Sequence, residues 1–440
     1  VVRDVYNLFG RPIACECGRT HRLSPETIVY ADDAVDRLPE LCAACCAGRN
    51  VAVVMDIRTR EAAGRTAASR LSAGGWTVAE AVVPDSADGE SPVCDDRTKE
   101  TLAAGIPDAD VFLAVGSGVV NDLAKWISWD RRRPYVSFAT AASMNGYTSA
   151  NVAATVEGLK TLLSARPPAV VAADGKILRD APYQLTVAGL GDALAKSVSS
   201  ADWYLNHALF GDYFCRRCVD LIAEIEPLYM DHPGDIAARQ PGAIRALFDA
   251  LLLTGAAMTM AESSAPASGG EHMISHSLDM MAWRDSQKHD LHGRQVGVGT
   301  MLTSELYRRV LATESPKFST EAGALPDMVF WGKLAPAMRK EFTAKVQKYR
   351  LAVEKLSQGS AWDNLRVSLS PMLRAPEKIA SCLLAAGAAT TAVDIECTRE
   401  RLLDAFLHGR EIRARFTILD LAFAVGVLPS AASDIVHQWG

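Results

Sequence analysis

The chain has 440 residues, enough for two domains, and 49% of them are hydrophobic against 22% charged, a balance that argues against long disorder. Lysine and arginine number 46 against 52 aspartates and glutamates, a net charge of −6, so nothing global draws the chain to nucleic acid or to an anionic membrane. No unbroken apolar run reaches the about 18 residues of a membrane span, the nearest (251–261) being interrupted by Thr and Gly. The opening Val-Val-Arg-Asp lacks a signal-peptide pattern, so a cytoplasmic protein is expected.

Up to about residue 183, short β-rich runs alternate with helical ones, the signature of a parallel sheet with crossovers. Val51 to Asp56 reads as a buried strand ending in an acid, followed by a helix from Arg60 to Ala73. Further strands are expected at Trp76 to Val83, Asp110 to Val115, Pro134 to Ala139 and Ala169 to Ala173. The third of these five runs into Gly116-Ser-Gly118 and a helix from Val119 to about Ser128; the fourth enters the loop Thr140 to Ser149. Beyond Ala181 the spacing becomes helical. Ile244, Leu247, Leu251 and Met258 form a core-facing stripe, and Arg401 to Val425 has a similar period. The charge-rich patches Arg131-Arg-Arg133 and Arg339 to Lys345 read as solvated surface. The expected architecture is an α/β nucleotide-binding domain over 1–183 and an all-helical domain over 184–440, with a cleft between them.

Three groups of residues are able to carry chemistry. Gly116 and Gly118, between a strand and a helix, would let a phosphate reach backbone N–H groups and the helix dipole; an ordinary tight turn is the competing reading. Asp56 fits either an acid that holds a ribose hydroxyl, favouring NAD over NADP, or a helix N-cap. In the helical half, Asp192, His272, His276 and His292 are potential metal ligands. His272 and His276 are four apart and share a helix face, and His289 and His292 lie close by; a chance cluster of histidines is the alternative. The ten cysteines are too sparse for a disulfide scaffold. Cys15-Glu-Cys17 with His21 and Cys42-Ala-Ala-Cys45-Cys46 hint at structural zinc, but the paired C-x-x-C spacings are missing, so reduced thiols in and near a core are expected.

Val115-Gly-Ser-Gly-Val-Val-Asn-Asp-Leu-Ala-Lys125, Thr140 to Ser149, Gly158-Leu-Lys160, Ala188-Gly-Leu-Gly-Asp192, Asp202-Trp203, Pro266 to His272 with Ser275-His276, and His292 to Gly299 follow in one order. Together they resemble the bacterial branch of the sn-glycerol-1-phosphate dehydrogenases, within the iron-dependent alcohol dehydrogenase and dehydroquinate synthase-like superfamily. Cys15 to His21 and Ile412 to Leu419 are similar to that branch too. The resemblance spans nearly the whole chain. It implies a dehydroquinate synthase-like fold and, as a rule, a homodimer serving phospholipid metabolism.

The resemblance implies that Asp56, Gly116, Gly118, Val119, Val120, Asn121 and Asp122 hold the dinucleotide, with Thr140, Ala141, Ala142, Ser143 and Ser149 on its nicotinamide side. Asp192, His272 and His292 would bind one divalent metal, zinc or nickel. His276 and Asp192 would act at the reacting centre, and Asn145, Asp192, His276 and Lys160 would meet a small phosphorylated polyol or ketone. The implied reaction is NAD(P)H-dependent interconversion of dihydroxyacetone phosphate and sn-glycerol 1-phosphate or a related polyol phosphate, with NAD(H) preferred to NADP(H). A lyase or cyclase like dehydroquinate synthase, and a binding relative with altered catalysis, are the alternatives. Arg413 joins Lys160 and His276 as a candidate phosphate partner, a surface salt bridge being its other reading. Three positions depart from the family pattern: Asn145 stands where Asp is usual, Ala265 where Arg precedes Pro-Ala-Ser-Gly, and Arg294 where the H-G-E-Q motif, here His292-Gly-Arg294-Gln295, has Glu. Each bears on the substrate more than on the fold.

Overall fold

The computed structural model describes residues 5–86 and 91–440; the opening Val-Val-Arg-Asp lies outside the described residues. Ten strands are described: β1 (Pro12–Ala14), β2 (Thr20–Arg22), β3 (Thr27–Tyr30), β4 (Asn50–Asp56), β5 (Thr77–Val83), β6 (Val111–Gly116), β7 (Tyr135–Ala139), β8 (Asn151–Val156), β9 (Leu159–Ser164) and β10 (Val170–Ala173). Six of them form one parallel sheet in the order β3-β10-β7-β6-β4-β5. The five strands expected from the sequence are all in it, and β3 joins as an edge strand.

The period-2 geometry of a strand divides the core. Val51, Val53 and Met55 of β4 pack with Val111, Leu113 and Val115 of β6 on one face, under Leu38, Ala67 and Leu71. Ala52 and Val54 pack with Phe112 and Ala114 on the other, under Leu102, Leu123 and Ile127. Burial on both faces is why these strands read as nearly continuous apolar runs. The helical run after β4 opens at a capping box on Asp56 and continues to Ala73. The hairpins β1–β2 and β8–β9 were not expected; their strands are three and six residues long and half exposed, too weakly patterned to stand out.

Two compact units result. One contains residues 1–189 and 238–262, the other 190–237 and 263–440. The helix Pro241–Ala261, which carries the stripe from Ile244 to Met258, belongs to the first. It is long and apolar enough to cross a membrane, yet nearly all of it is buried, so the unit uses it as a core helix. In the second unit the expected period over Arg401 to Val425 is split into the helices Arg399–His408 and Ile418–Val425. A second capping box, on Thr417 and Asp420, starts the latter afresh. Lys345, expected on a solvated patch, is instead buried and paired with Asp420 at 3.0 Å. Burial lowers its pKa and the Asp420 carboxylate opposes the shift.

Candidate active site

In the sheet unit the chain runs from β4 to β5 on one side and then returns to place β6 on β4's other side. The carboxyl ends of β4 and β6 therefore flank a topological switch point, where open α/β sheets bind their ligands. Asp56 stands at the end of β4 and Gly116 at the end of β6. Asp56 is also an N-cap: its Oδ1 accepts from the Thr59 N–H at 2.7 Å, and its own N–H donates to Thr59 Oγ1 at 2.9 Å. The N-cap reading of Asp56 is thus the one seen, and the second carboxylate oxygen leaves the ribose reading open. The helix Gly118–Asp130 starts without a side-chain cap from Ser117, and Gly118 has φ +25°. Uncapped N–H groups of a 13-residue helix, at the end of a buried strand, suit an anionic phosphate.

Behind that turn, Val119 is half-buried and Val120 buried, and Asn121 is fully buried with its Oδ1 accepting from Ser137 at 2.8 Å. Asp122 accepts from the Ala153 N–H at 3.0 Å. Both polar groups fasten the helix to its neighbours rather than point outward. The loop 140–149 is also well fixed: Thr140, Ala141, Ala142, Ser143 and Ser149 are buried, and the Tyr147 hydroxyl donates to the Ala141 carbonyl at 2.7 Å. The helix Pro241–Ala261 holds the loop from one side. Thr148 Oγ1 donates to Leu252 O at 2.6 Å, and a Cβ on Gly255 would lie 2.2 Å from Asn145 O, so the backbones meet only because residue 255 is glycine.

Lys125 is the residue in this region that motif reading passed over. It is fully buried, and its ammonium donates to Gly146 O at 2.7 Å, Asn151 O at 2.9 Å and Ser149 Oγ at 3.3 Å, with Asp122 Oδ1 at 3.4 Å. Burial lowers its pKa, and Asp122 opposes the shift. Asn145 is half-buried on the same loop, and Lys160 lies on β9 opposite Thr155.

In the helical unit, Asp192, His272, His276 and His292 converge. A Cβ on Gly191 would lie 2.1 Å from Gly293 O, so this close approach brings the neighbours Asp192 and His292 toward one another. Asp192 Oδ1 lies 3.6 Å from His272 Nε2. Ring centroids are 5.1 Å apart for His272 and His292, 5.2 Å for His276 and His292, and 6.0 Å for His272 and His276. The ligating atoms of His276, His292 and Asp279 lie within 4.8 Å of one another. Asp279 was not among the expected residues; its i+3 spacing from His276 was the available signal.

The ring nitrogens of two of these histidines are oriented by neighbours. His272 Nδ1 is 2.7 Å from Glu271 Oε1, and His292 Nδ1 is 2.9 Å from Ser275 Oγ. That leaves Nε2 as the nitrogen each would present to a metal, the usual outer-shell arrangement. The Lys196 ammonium is 3.0 Å from Asp192 Oδ1 and 3.1 Å from Ala267 O. Burial works to raise the Asp192 pKa, but Lys196 and His272 outweigh it and hold the carboxyl well below its usual range. Burial would lower the His272 pKa, and the Asp192 and Glu271 carboxylates reverse the direction. Two oriented imidazoles, that of His272 buried and that of His292 half-buried, and the buried Asp192 carboxylate are a donor set that fits a divalent ion.

The three departures also have locations. Arg294 is paired with Asp290 at 2.8 Å and donates to Asp394 O, so its charge is answered away from His292. Next to Ala265, Arg415 donates to Ser268 O at 2.6 Å and to Ser264 Oγ at 2.8 Å, fixing the loop that leads into His272. Arg413 is mostly buried; burial lowers its pKa against the opposing charge of Glu341.

Comparisons with known proteins give the family and the fold. Residues 29–182 match the family described as "Iron-containing alcohol dehydrogenase". A protein of Bacillus velezensis named "Glycerol-1-phosphate dehydrogenase [NAD(P)+]" is 34% identical over 66% of this chain and 73% of its own length. The chain belongs to the glycerol-1-phosphate dehydrogenase family. A family member of the same name from Bacillus licheniformis is 28% identical over 94% of this chain and 93% of its own. The family fold is also that of solved structures. Glycerol dehydrogenase from Schizosaccharomyces pombe has a TM-score of 0.59 at 17% identity, covering 94% of this chain and 92% of that one. A 1,3-propanediol oxidoreductase has a TM-score of 0.59 at 15% identity, covering 94% and 98%.

Proposed function

We propose that this chain is an NAD(P)H-dependent, metal-dependent dehydrogenase that interconverts dihydroxyacetone phosphate and sn-glycerol 1-phosphate or a related polyol phosphate. The observation that carries the reading is the convergence of buried Asp192 and His272 with half-buried His276 and His292 in one cluster, in a chain of this family. Asp192, His272 and His292 would hold one zinc or nickel ion. That ion supplies a Lewis acid for a carbonyl oxygen.

The chain's own residues do the rest. The turn Gly116 to Asp122 holds the dinucleotide pyrophosphate, with Asp56 on the ribose; its like charge disfavours a 2′-phosphate and so favours NAD(H). The loop from Thr140 to Ser149, held rigid by Lys125, Tyr147 and Thr148, presents the nicotinamide side. Glu271 and Ser275 fix the imidazoles of His272 and His292. His276 faces the substrate and passes a proton to the alkoxide formed by hydride transfer. Asn145 hydrogen-bonds a substrate hydroxyl but, unlike Asp, accepts no proton. Lys160, Arg413 and Arg415 are the cations to examine as partners of the substrate phosphate. The ten cysteines form no disulfide, which suits the reducing cytoplasm.

The test is a steady-state assay of the protein reloaded with zinc and, separately, with nickel. Dihydroxyacetone phosphate should drive stoichiometric oxidation of NADH with at least one metal. A lyase of the dehydroquinate synthase kind would return its cofactor and show no net consumption. Absence of NADH oxidation with both metals would remove the substrate assignment.

A further inference from the structure

The N-terminal hairpin holds a second cluster of metal-binding side chains that plays no part in the reaction above. In the β1–β2 ladder, Ile13 is opposite His21 and Ala14 opposite Thr20, and the Cys15 N–H donates to Arg19 O at 3.1 Å. Alternation along the strands therefore puts Cys15 and His21 on one face. The turn then closes through Gly18, whose N–H donates to Cys15 O at 3.0 Å and whose φ of +84° suits glycine. That turn folds Cys17 back over the same face, and Cys17 Sγ comes within 3.1 Å of His21 Nε2. The ligating atoms of Cys15, Cys17 and His21 all lie within 4.8 Å of one another. Around a tetrahedral zinc, with Zn–S about 2.3 Å and Zn–N about 2.0 Å, ligand atoms sit about 3.5–3.8 Å apart, so side-chain adjustments of an ångström or less complete the set.

We propose that Cys15, Cys17 and His21 bind a structural zinc ion, distinct from the metal of the Asp192 cluster. Two thiolates and an imidazole are a soft donor set that selects zinc over the hard cations. The hairpin also needs a staple: its strands are three residues each, their outward positions are exposed, and His21 and the adjoining Leu23 are its main buried groups. So short a two-stranded unit is not stable by itself. Metal binding converts the C-x-C-G-x-x-H spacing from an incomplete zinc pattern into a closed loop, the thiols releasing their protons to water as they bind. Three ligands from the hairpin leave a fourth position to another group.

The test uses cobalt(II) as the probe in the full chain, because thiolate ligation gives a near-ultraviolet charge-transfer band that a carboxylate–imidazole site does not. The band should appear in the wild type and in His272→Ala, and be absent from the Cys15→Ser/Cys17→Ser double variant. In the wild type with zinc bound, Cys15 and Cys17 should resist alkylation at least tenfold more than after chelation. Any further cysteine protected by zinc identifies the fourth ligand. No thiolate band in the wild type, or equal labelling of Cys15 and Cys17 with and without zinc, would overturn the proposal. The alkylation measurement needs no variant, so it decides the matter even if the double variant fails to fold.

Discussion

Replacing Lys125 with Met keeps the length and apolar stem of the side chain and removes only its charge and donors. In the wild type the ammonium serves two backbone carbonyls at 2.7 and 2.9 Å and lies 3.4 Å from the Asp122 carboxylate. Hydrogen bonds from a charged donor contribute about 1.5–3 kcal/mol each, so the two short ones contribute about 3–6 kcal/mol. Burying the ammonium costs several kcal/mol, which the variant recovers, but it strands Asp122 without its cation. Removing one partner from a buried pair typically costs about 3–5 kcal/mol, and that is the loss expected for Lys125→Met. Urea unfolding followed by circular dichroism measures it, and NADH fluorescence should show weaker cofactor binding as the loop 140–149 loosens. Adding Asp122→Asn should restore part of the stability, because the stranded charge is then gone. A loss under about 1 kcal/mol, with cofactor affinity unchanged, would refute the claim that Lys125 organises this loop.

His272→Ala should lose the carboxylate–imidazole metal and all NADH oxidation while still binding dinucleotide; metal analysis showing that ion at full occupancy would contradict the ligand assignment. Asp56→Ser keeps a capping side chain and removes the charge, so it should narrow the preference for NADH over NADPH with little change in stability; the ratio of kcat/KM values reads this. Asp202 is fully buried, and burial, with the Glu271 charge adding to it, pushes its pKa up to about 8 from an ordinary 3.8. Between those values the folded chain holds a proton that the unfolded chain releases, so stability should fall as pH rises from about 4 to about 8. Asp202→Asn should flatten that slope in pH-dependent unfolding.

The strands β4, β6, β7 and β10 were legible because both of their faces are buried, which leaves long Val- and Ala-rich runs. The helix Pro241–Ala261 was legible for a similar reason, its stripe being apolar over 21 residues. That this helix groups with the sheet unit is another matter. Its partners there are Thr148, Asn145 and Tyr6, far away in sequence, and periodicity carries no information about them. Asp192, His272, His276 and His292 could be named from type and spacing, whereas Asp279 had only its spacing from His276 to mark it and Glu271 could not be told from an ordinary helix-surface acid. Their role comes from burial, which depends on how the helices Gly270–Asp285 and His292–Ala312 pack. Lys345 was misread, and Lys125 passed over, for the same physical reason. A lysine reads as solvated until the structure supplies the carbonyls and carboxylate that permit its burial.

Isotope labelling reads out hydride transfer from the nicotinamide to the carbonyl carbon of the phosphorylated ketone. The metal-loaded protein is incubated with dihydroxyacetone phosphate and NADH deuterated at the transferable position, and the product is examined by mass spectrometry and NMR. One deuterium is expected on the central carbon of glycerol phosphate for each NADH oxidised, in the sn-glycerol 1-phosphate enantiomer or in the corresponding position of a related polyol phosphate. A turnover product without deuterium on its carbinol carbon would contradict that transfer.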